Sequence, residues 1–193
     1  MEAIRRRQPK PLFARHQGGD CGARNFLFTN ASGAVNPALA KGDLVLIRDQ
    51  INNLGVSPLS GHQHLLQDAF VDMTAVYDPE LRESIRRAAE SMQVTMQDGV
   101  YMANHGPQFE TPAEVRMAAV MGADMVGMST VLEATIAHAC GGRVASISLV
   151  TNMASGISPF PITHDDHLAI SKKASKPIAD LVKAWLASDE GVI

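Results

Sequence analysis

The stretch Val144-Ala145-Ser146-Ile147-Ser148-Leu149-Val150 decides the fold. Gly141-Gly142 separates it from the helical pattern before it, and apolar residues dominate it. A short run of this kind predicts a strand buried within a sheet. The polar pair Thr151-Asn152 follows it, at the carboxyl end where layered α/β proteins bind ligands.

Strand and helix signals alternate on the N-terminal side of this strand. Shorter apolar runs predict strands near 26–29, 43–48, 100–103 and 125–128, and residues 52–68 and 154–162 have the composition of loops. Asp78 can cap a helix that starts with Pro79. Thr111 and Glu114 form a capping box for a helix over about 112–121.

Two further helices complete the alternation. One is predicted near 131–140, and the last starts at the capping-box-like pair Thr163 and Asp166 and runs toward Ala187. Alternating strands and helices predict an α/β layered fold, with a central mixed sheet flanked by helices. The rule for open sheets predicts one shared rim, where Thr29-Asn30, the 104–110 loop, Met128-Ser129 and Thr151-Asn152 meet.

The bulk composition narrows the class of protein. With 193 residues, 46% of them hydrophobic, the chain suits one compact domain. The net charge of −3 gives no basic field for nucleic acid. Cys21 and Cys140 offer no disulfide framework, and no apolar run approaches the roughly 18 residues of a membrane span. We expect a cytoplasmic protein, without a secretory signal.

The first 25 residues differ from the rest. Six Lys or Arg residues and two acids give residues 1–25 a charge of +4, among several Pro and Gly residues. This composition predicts a basic, disordered tail before a domain over 26–193. A nucleic-acid-binding arm is the alternative, but such tails are more often merely solvated.

Four short segments after predicted strands carry the candidate chemistry. Each alone has an ordinary structural explanation: the first is a turn, Glu110 is favoured beside a helix N-terminus, Gly127 allows close packing, and Asn152 ends a strand. The segments are Thr29-Asn30-Ala31-Ser32-Gly33, Gly106-Pro107-Gln108-Phe109-Glu110-Thr111, Val126-Gly127-Met128-Ser129-Thr130 and Thr151-Asn152.

Together, in order and spacing, the segments resemble the trimeric purine nucleoside phosphorylases. The resemblance runs from about Phe28 to the C-terminal helix and includes Gly42-Asp43, Ile47-Arg48-Asp49-Gln50-Ile51-Asn52 and Gly122-Ala123-Asp124. It implies the phosphorylase-type fold and reversible phosphorolysis of 6-oxopurine (deoxy)ribonucleosides such as inosine and guanosine. Inorganic phosphate would be the co-substrate, with no cofactor, no metal and no nucleic-acid or membrane partner.

The resemblance also implies roles for individual residues. Glu110 would accept a hydrogen bond from purine N1–H, and Asn152 would bond N7 and O6, so that both stabilise the departing base. Phe109 and Thr151 would complete the base site. Met128 and His164 would contact the sugar, and Ala31 and Ser129 would bind phosphate. Phe70 would reach into the site of the neighbouring subunit, which points to a homotrimer.

Substrate preference follows from Glu110. Adenine offers only an acceptor at N1, so a site that requires N1–H rejects it. Glu110 and Asn152 also argue against the methylthioadenosine phosphorylases, which lack this Glu and carry Asp in place of Asn. Xanthosine preference, and ribose against deoxyribose, stay open.

The histidine pairs have alternatives. For the stretch from His164 to His167, the alternatives to the sugar role are a solvated turn and, less readily, a metal pair. His62 and His64 have no third ligand nearby in the sequence, so we expect no metal there.

One part of the family pattern is missing. The family has a Gly-Ser-Gly-Leu-Gly phosphate loop, a His-Ala-Gly segment and a Gly-Arg-x-His-x-Tyr-Glu-Gly segment before the Thr-Asn block, and none of them occurs here. In the family these motifs hold the attacking phosphate. They would position it for attack and stabilise its charge. The sequence therefore predicts an N-terminally incomplete fold. It leaves two functions open: an active phosphorylase, or a catalytically impaired fragment that binds purines or only assembles with other chains.

Overall fold

A computed structural model describes residues 23–66, 70–158 and 164–188. Over these residues the chain forms a five-stranded sheet, four α-helices and a 3-10 turn at Gln63–Leu65. The strands are β1 (Asn25–Ala34), β2 (Leu44–Asn52), β3 (Met96–Ala103), β4 (Met125–Gly127) and β5 (Arg143–Met153). The helices are α1 (Pro79–Ser91), α2 (Pro112–Val120), α3 (Val131–Ala139) and α4 (His164–Ala187).

The sheet is mixed and closes on itself in the order β1-β4-β3-β2-β5. β1 runs parallel to β5, while β2, β3 and β4 run parallel to one another in the opposite direction. The predicted mixed sheet with flanking helices is confirmed. Its closure into a barrel was not predicted.

The strand that decides the fold, β5, is buried from Val144 to Asn152. Ala145, Ile147 and Leu149 pack against apolar residues of α1 and α4, among them Leu81 and Leu181. Burial of these aliphatic side chains, each worth about 1.5–3 kcal/mol for Leu or Ile, fastens the two helices to the sheet. β5 also pairs with β1 over nearly its whole length, and so fixes the position of the first candidate segment.

Helix α1 begins as the sequence predicts. Asp78 accepts a hydrogen bond from Leu81 N–H at 2.8 Å, and Pro79 occupies the first turn. Asp78 also accepts two bonds from Arg143 at the start of β5, at 2.8 and 3.0 Å. Burial alone would raise the pKa of Asp78, but the bonds from Arg143 and Leu81 outweigh it and hold that pKa below its ordinary value. This one carboxylate therefore joins helix α1 to the central strand.

Two sequence expectations about the first segment are wrong. Thr29 to Gly33 does not form a turn but lies inside β1. Thr29 also does not reach the predicted rim, because it lines a groove against α4. The other three predicted segments do meet, because residues of the 104–110 loop, Met128-Ser129 and Asn152 line one cleft. This cleft forms where β1 passes antiparallel to the end of β4.

Other predictions fall partly outside the described residues. The start of the basic tail, residues 1–22, and the Thr163 cap lie there, so neither is tested. Within residues 23–66, 70–158 and 164–188, no helix is long and apolar enough to cross a membrane.

Candidate functional site

A cleft of about 350 Å³ opens between β1, the end of β4 and the loop that follows β3. Its volume falls within the range of small-molecule sites, about 300–1,000 Å³. Six of the predicted site residues line it together: Ala31, Phe109, Glu110, Met128, Ser129 and Asn152. Four chain segments that are distant in sequence thus converge on one cavity.

Glu110 is held by residues that the sequence did not single out. The Asn104 side-chain amide donates to the Glu110 carboxylate at 2.9 Å, and Asn53 donates to the Asn104 carbonyl at 2.8 Å. On its other side the predicted capping box forms, in which Thr111 and Glu114 bond each other's backbone and side chain. The carboxylate therefore has a fixed direction at the cleft wall.

Asn152, near the end of β5, also lines the cleft and is only 6% exposed. Its amide N–H donates to Met153 O at 3.2 Å, and its carbonyl oxygen lies 3.0 Å from the Thr151 hydroxyl. Thr151 itself is fully buried and also lies 3.1 Å from Ser32 O. Thr151 therefore supports Asn152 from behind and does not line the cleft.

A histidine without a predicted role also lines the cleft. His167 of α4 is half-buried, and its Nδ1 lies 2.8 Å from the Thr151 hydroxyl oxygen. Its position one helical turn after His164 was the only sequence signal for it. The side chain of His164, the predicted sugar ligand, lies outside the described residues.

The third wall is the entry to helix α3. Ser129 and Thr130 precede the helix, and Thr130 has a φ of +73°, a strained value for a β-branched residue. The Asn30 amide donates to the Thr130 hydroxyl at 2.7 Å and stabilises this turn. Exposed backbone N–H groups at a helix N-terminus favour an anion. Among the described residues that line the cleft, none is Lys or Arg.

Two glycines let the walls approach closely. A Cβ on Gly127 would overlap the hydroxyl oxygen of Tyr101, a fully buried side chain under the cleft. A Cβ on Gly106 would overlap the Met128 sulfur, the flexible end of a side chain. Burial raises the pKa of Tyr101, and its hydroxyl lies 3.4 Å from Ser129 N. Tyr101 is thus neutral, and its hydroxyl lies against Gly127 and Ser129, which line the cleft.

Phe70 lies elsewhere, 95% exposed beside a second cavity that β2 lines together with residues of 57–63 and 70–73. Its predicted contribution to a neighbouring subunit stays a prediction. In the part of the chain that the structure describes, no group of three or more His, Cys, Asp or Glu residues is placed to hold a metal ion.

The closed mixed sheet and its cleft belong to a known superfamily. The family model described as "Phosphorylase superfamily" matches residues 12–187. The chain therefore belongs to the phosphorylase superfamily.

Individual relatives refine this picture. The chain is 43% identical over 164 residues to purine nucleoside phosphorylase 1 of Geobacillus stearothermophilus, covering 84% of this chain and 60% of that protein. It is 41% identical over 170 residues to purine nucleoside phosphorylase 1 of Bacillus subtilis (88% and 63%). It is 45% identical over 161 residues to the Cellulomonas purine nucleoside phosphorylase (83% and 54%). The resemblance inferred from the motifs is confirmed, and the chain spans less than two thirds of the length of these relatives.

Solved structures agree. Schistosoma purine nucleoside phosphorylase in complex with guanosine has a TM-score of 0.79 at 31% identity, over 87% of this chain and 64% of that one. The Schistosoma mansoni enzyme in complex with inosine has a TM-score of 0.77 at 32% identity, over 86% and 61%. The fold predicted from the sequence is confirmed by this similarity.

Proposed function

We propose that the cleft binds a 6-oxopurine and that the chain performs reversible phosphorolysis of inosine- and guanosine-type (deoxy)ribonucleosides. The observation that carries this proposal is that Glu110 and Asn152 line the same cleft, each fixed by its own hydrogen-bond partners. The identity of 41–45% to purine nucleoside phosphorylases supports it.

The amide of Asn152 has the right capacity for the base. An amide offers two N–H donors and two lone pairs, and one of each faces Met153 O and the Thr151 hydroxyl. One N–H and one lone pair remain. These suit purine O6, an acceptor, and purine N7–H, a donor, while Glu110 accepts from N1–H.

The chemistry follows from this arrangement. A phosphate oxygen attacks C1′ of the sugar, the C1′–N9 bond breaks, and its electron pair goes to the purine. The purine takes up a proton from solvent at N7, which balances the proton that the phosphate releases as the ester forms. The products are the free base and (deoxy)ribose 1-phosphate. As the bond breaks, negative charge grows on O6 and N7 gains a hydrogen that the nucleoside lacks, so Asn152 binds the departing base more tightly than the bound nucleoside.

The other walls take the sugar and the phosphate. Met128 packs on the sugar, and His164 bonds its 5′-hydroxyl. Ser129 and the Ala31 backbone hold inorganic phosphate, the co-substrate, near the N-terminus of α3. No cofactor takes part. The chain assembles as a homotrimer in which Phe70 reaches the neighbouring site.

A second function is favoured by one observation. None of the described residues lining the cleft is Lys or Arg, and a phosphate dianion without a cation is poorly positioned for attack. The alternative is a chain that binds purines, or assembles with related chains, with impaired turnover.

Hypoxanthine release from inosine and phosphate tests the first proposal, with the purified full chain. We expect Glu110→Gln and Asn152→Ala to lower kcat/KM by about 100-fold each, as for one oxyanion donor. Glu90→Gln, the same change on the exposed face of α1, is the control and should leave kcat/KM unaltered.

Calorimetry with hypoxanthine separates the two functions. Binding without turnover supports the impaired chain. If the full chain neither binds hypoxanthine nor cleaves inosine, both the phosphorylase and the purine-binding chain are excluded, and only assembly with related chains is left.

A further inference from the structure

The Thr151 hydroxyl lies at the centre of a cluster that its one hydrogen cannot satisfy. Its oxygen lies 3.1 Å from Ser32 O, 3.0 Å from Asn152 Oδ1 and 2.8 Å from His167 Nδ1. The first two atoms can only accept hydrogen bonds. If His167 Nδ1 also lacked a hydrogen, three acceptors would compete for a single donor.

The orientation of the Asn152 amide is set by its other contact. The carbonyl of Met153, an acceptor, lies 3.2 Å from the amide nitrogen. A flipped amide would place two acceptors against each other there, so the carbonyl oxygen of Asn152 faces Thr151. It therefore needs the hydrogen of the Thr151 hydroxyl.

A hydrogen on His167 Nδ1 reduces this competition from three acceptors to two. The ring then donates to a lone pair of the Thr151 oxygen, and the hydroxyl hydrogen is left for Ser32 O and Asn152 Oδ1. His167 also lines the cleft, unlike Thr151. The histidine therefore connects helix α4 to the amide that faces the base.

We propose that His167 is a positioning residue of the base site, which donates from Nδ1 to Thr151 and thereby holds the Asn152 amide in the orientation that a 6-oxopurine requires. This inference rests on the proposed function. It assigns His167 an indirect role, since Thr151 and Asn152 stand between its ring nitrogen and the base.

Two substitutions at the same position separate this role from simple packing. Asn keeps an N–H donor near the place of the histidine Nδ1, whereas Leu fills similar space without one. We expect His167→Leu to weaken hypoxanthine binding about tenfold, the effect of one hydrogen bond, and His167→Asn to stay within about threefold. His62→Leu, in an exposed loop, is the matched control and leaves binding unchanged.

A double-mutant cycle tests whether the effect passes through Asn152. With Asn152→Ala already present, His167→Leu should change hypoxanthine affinity by less than about twofold, because coupled residues are not additive. Full additivity overturns the proposal. Thermal unfolding of each variant confirms that the fold is kept.

The free protein gives a readout that needs no ligand. Long-range ¹H–¹⁵N spectra of the imidazoles, assigned with His167→Asn, should show a hydrogen on His167 Nδ1. Two outcomes overturn this inference alone, provided that the unsubstituted chain binds hypoxanthine. One is an Nδ1 without a hydrogen, and the other is an equal loss of hypoxanthine affinity in His167→Leu and His167→Asn. Absence of hypoxanthine binding by the unsubstituted chain overturns the proposed function as well.

Discussion

The base side and the anion side of the cleft are built differently. On the base side Asn152 is 6% exposed, and both Asn152 and Glu110 have side-chain partners that fix them. On the anion side Ser129 is exposed, its hydroxyl bonds the neighbouring Thr130, its N–H faces the Tyr101 hydroxyl and its carbonyl accepts from Val131 N–H. Among described residues, one side thus consists of prearranged hydrogen bonds and the other of a helix N-terminus and a hydroxyl.

This difference has an energetic meaning. A buried amide that is already ordered in the folded protein loses little conformational entropy when a ligand binds, because that entropy was lost on folding. A helix N-terminus supplies only partial charge, typically worth about 0.3–1 kcal/mol. The base side should therefore dominate affinity, and substitutions on each side should have separable effects.

The largest expected effect comes from Gly127, which lies between the two sides. Gly127→Ala places a methyl group onto the Tyr101 hydroxyl, inside a packed core, and overpacking of this kind costs about 1–3 kcal/mol. We expect lower stability in urea unfolding, together with losses of both hypoxanthine and phosphate binding.

Two variants sharpen that result. Gly106→Ala meets only the flexible end of Met128 and should cost less than about 1 kcal/mol. Adding Tyr101→Phe to Gly127→Ala should restore part of the stability, since the overlapping oxygen is gone. Equal costs for Gly106→Ala and Gly127→Ala would contradict the packing argument.

The next largest effect should lower stability without changing the relative affinities of the base side and the anion side. Asp78→Ala removes the cap of α1 and its two bonds to Arg143, and we expect a loss of about 2 kcal/mol in free energy of unfolding. The ratio of hypoxanthine to phosphate affinity should not move. A changed ratio would show that the sides are coupled through β5.

The same carboxylate predicts a pH dependence. The folded-state pKa of Asp78 is below its ordinary value, so its stabilisation is present above the unfolded pKa of about 3.9 and is lost as pH falls through the folded pKa. The stability difference between the unsubstituted chain and Asp78→Asn should therefore shrink below about pH 4. Acid titration of unfolding for both proteins checks this.

A smaller effect should be confined to the base side. Asn104→Ala removes the donor that orients Glu110, and one hydrogen bond to a charged group corresponds to about a tenfold loss of hypoxanthine affinity. Phosphate affinity should stay within about twofold. Asn52→Ala, whose amide bonds the nearby Val56 carbonyl and Leu54 N–H, is the control. Loss of phosphate binding in Asn104→Ala would contradict the independence of the base side and the anion side.

The features that the sequence predicted well are local. The Asp78 cap, the Thr111–Glu114 capping box and the apolar run of β5 each depend on residues within a few positions, so their patterns are readable directly. Helix α2 starts and ends within one residue of its prediction for this reason.

The missed features are long-range. Thr29 to Gly33 has turn-like composition, yet its pairing with β5 makes it strand, and no local signal specifies that pairing. Closure of the sheet, the antiparallel passage of β1 beside β4, the Asn104 bond to Glu110 and the contact of His167 with Thr151 likewise join residues that the linear pattern treats separately. The family resemblance supplied the cleft residues themselves, because it carries long-range information that periodicity lacks.

The smallest expected effect tests the anion side alone. Ser129→Ala removes a hydroxyl that we place on phosphate, and loss of one neutral hydrogen bond, about 1 kcal/mol, corresponds to a roughly fivefold rise in the phosphate KM or Kd. Hypoxanthine affinity should stay within about twofold, because Ser129 has no bond to Asn152 or Glu110 among the described contacts. Ser175→Ala, the same change on the exposed face of α4, should alter neither. Phosphate dependence of hypoxanthine release measures the effect where turnover is seen, and ³¹P line broadening measures it where only binding is seen. An equal loss of hypoxanthine and phosphate affinity would mean that the two sides form one coupled network, in which the strained turn at Thr130 transmits changes from the anion side to the base.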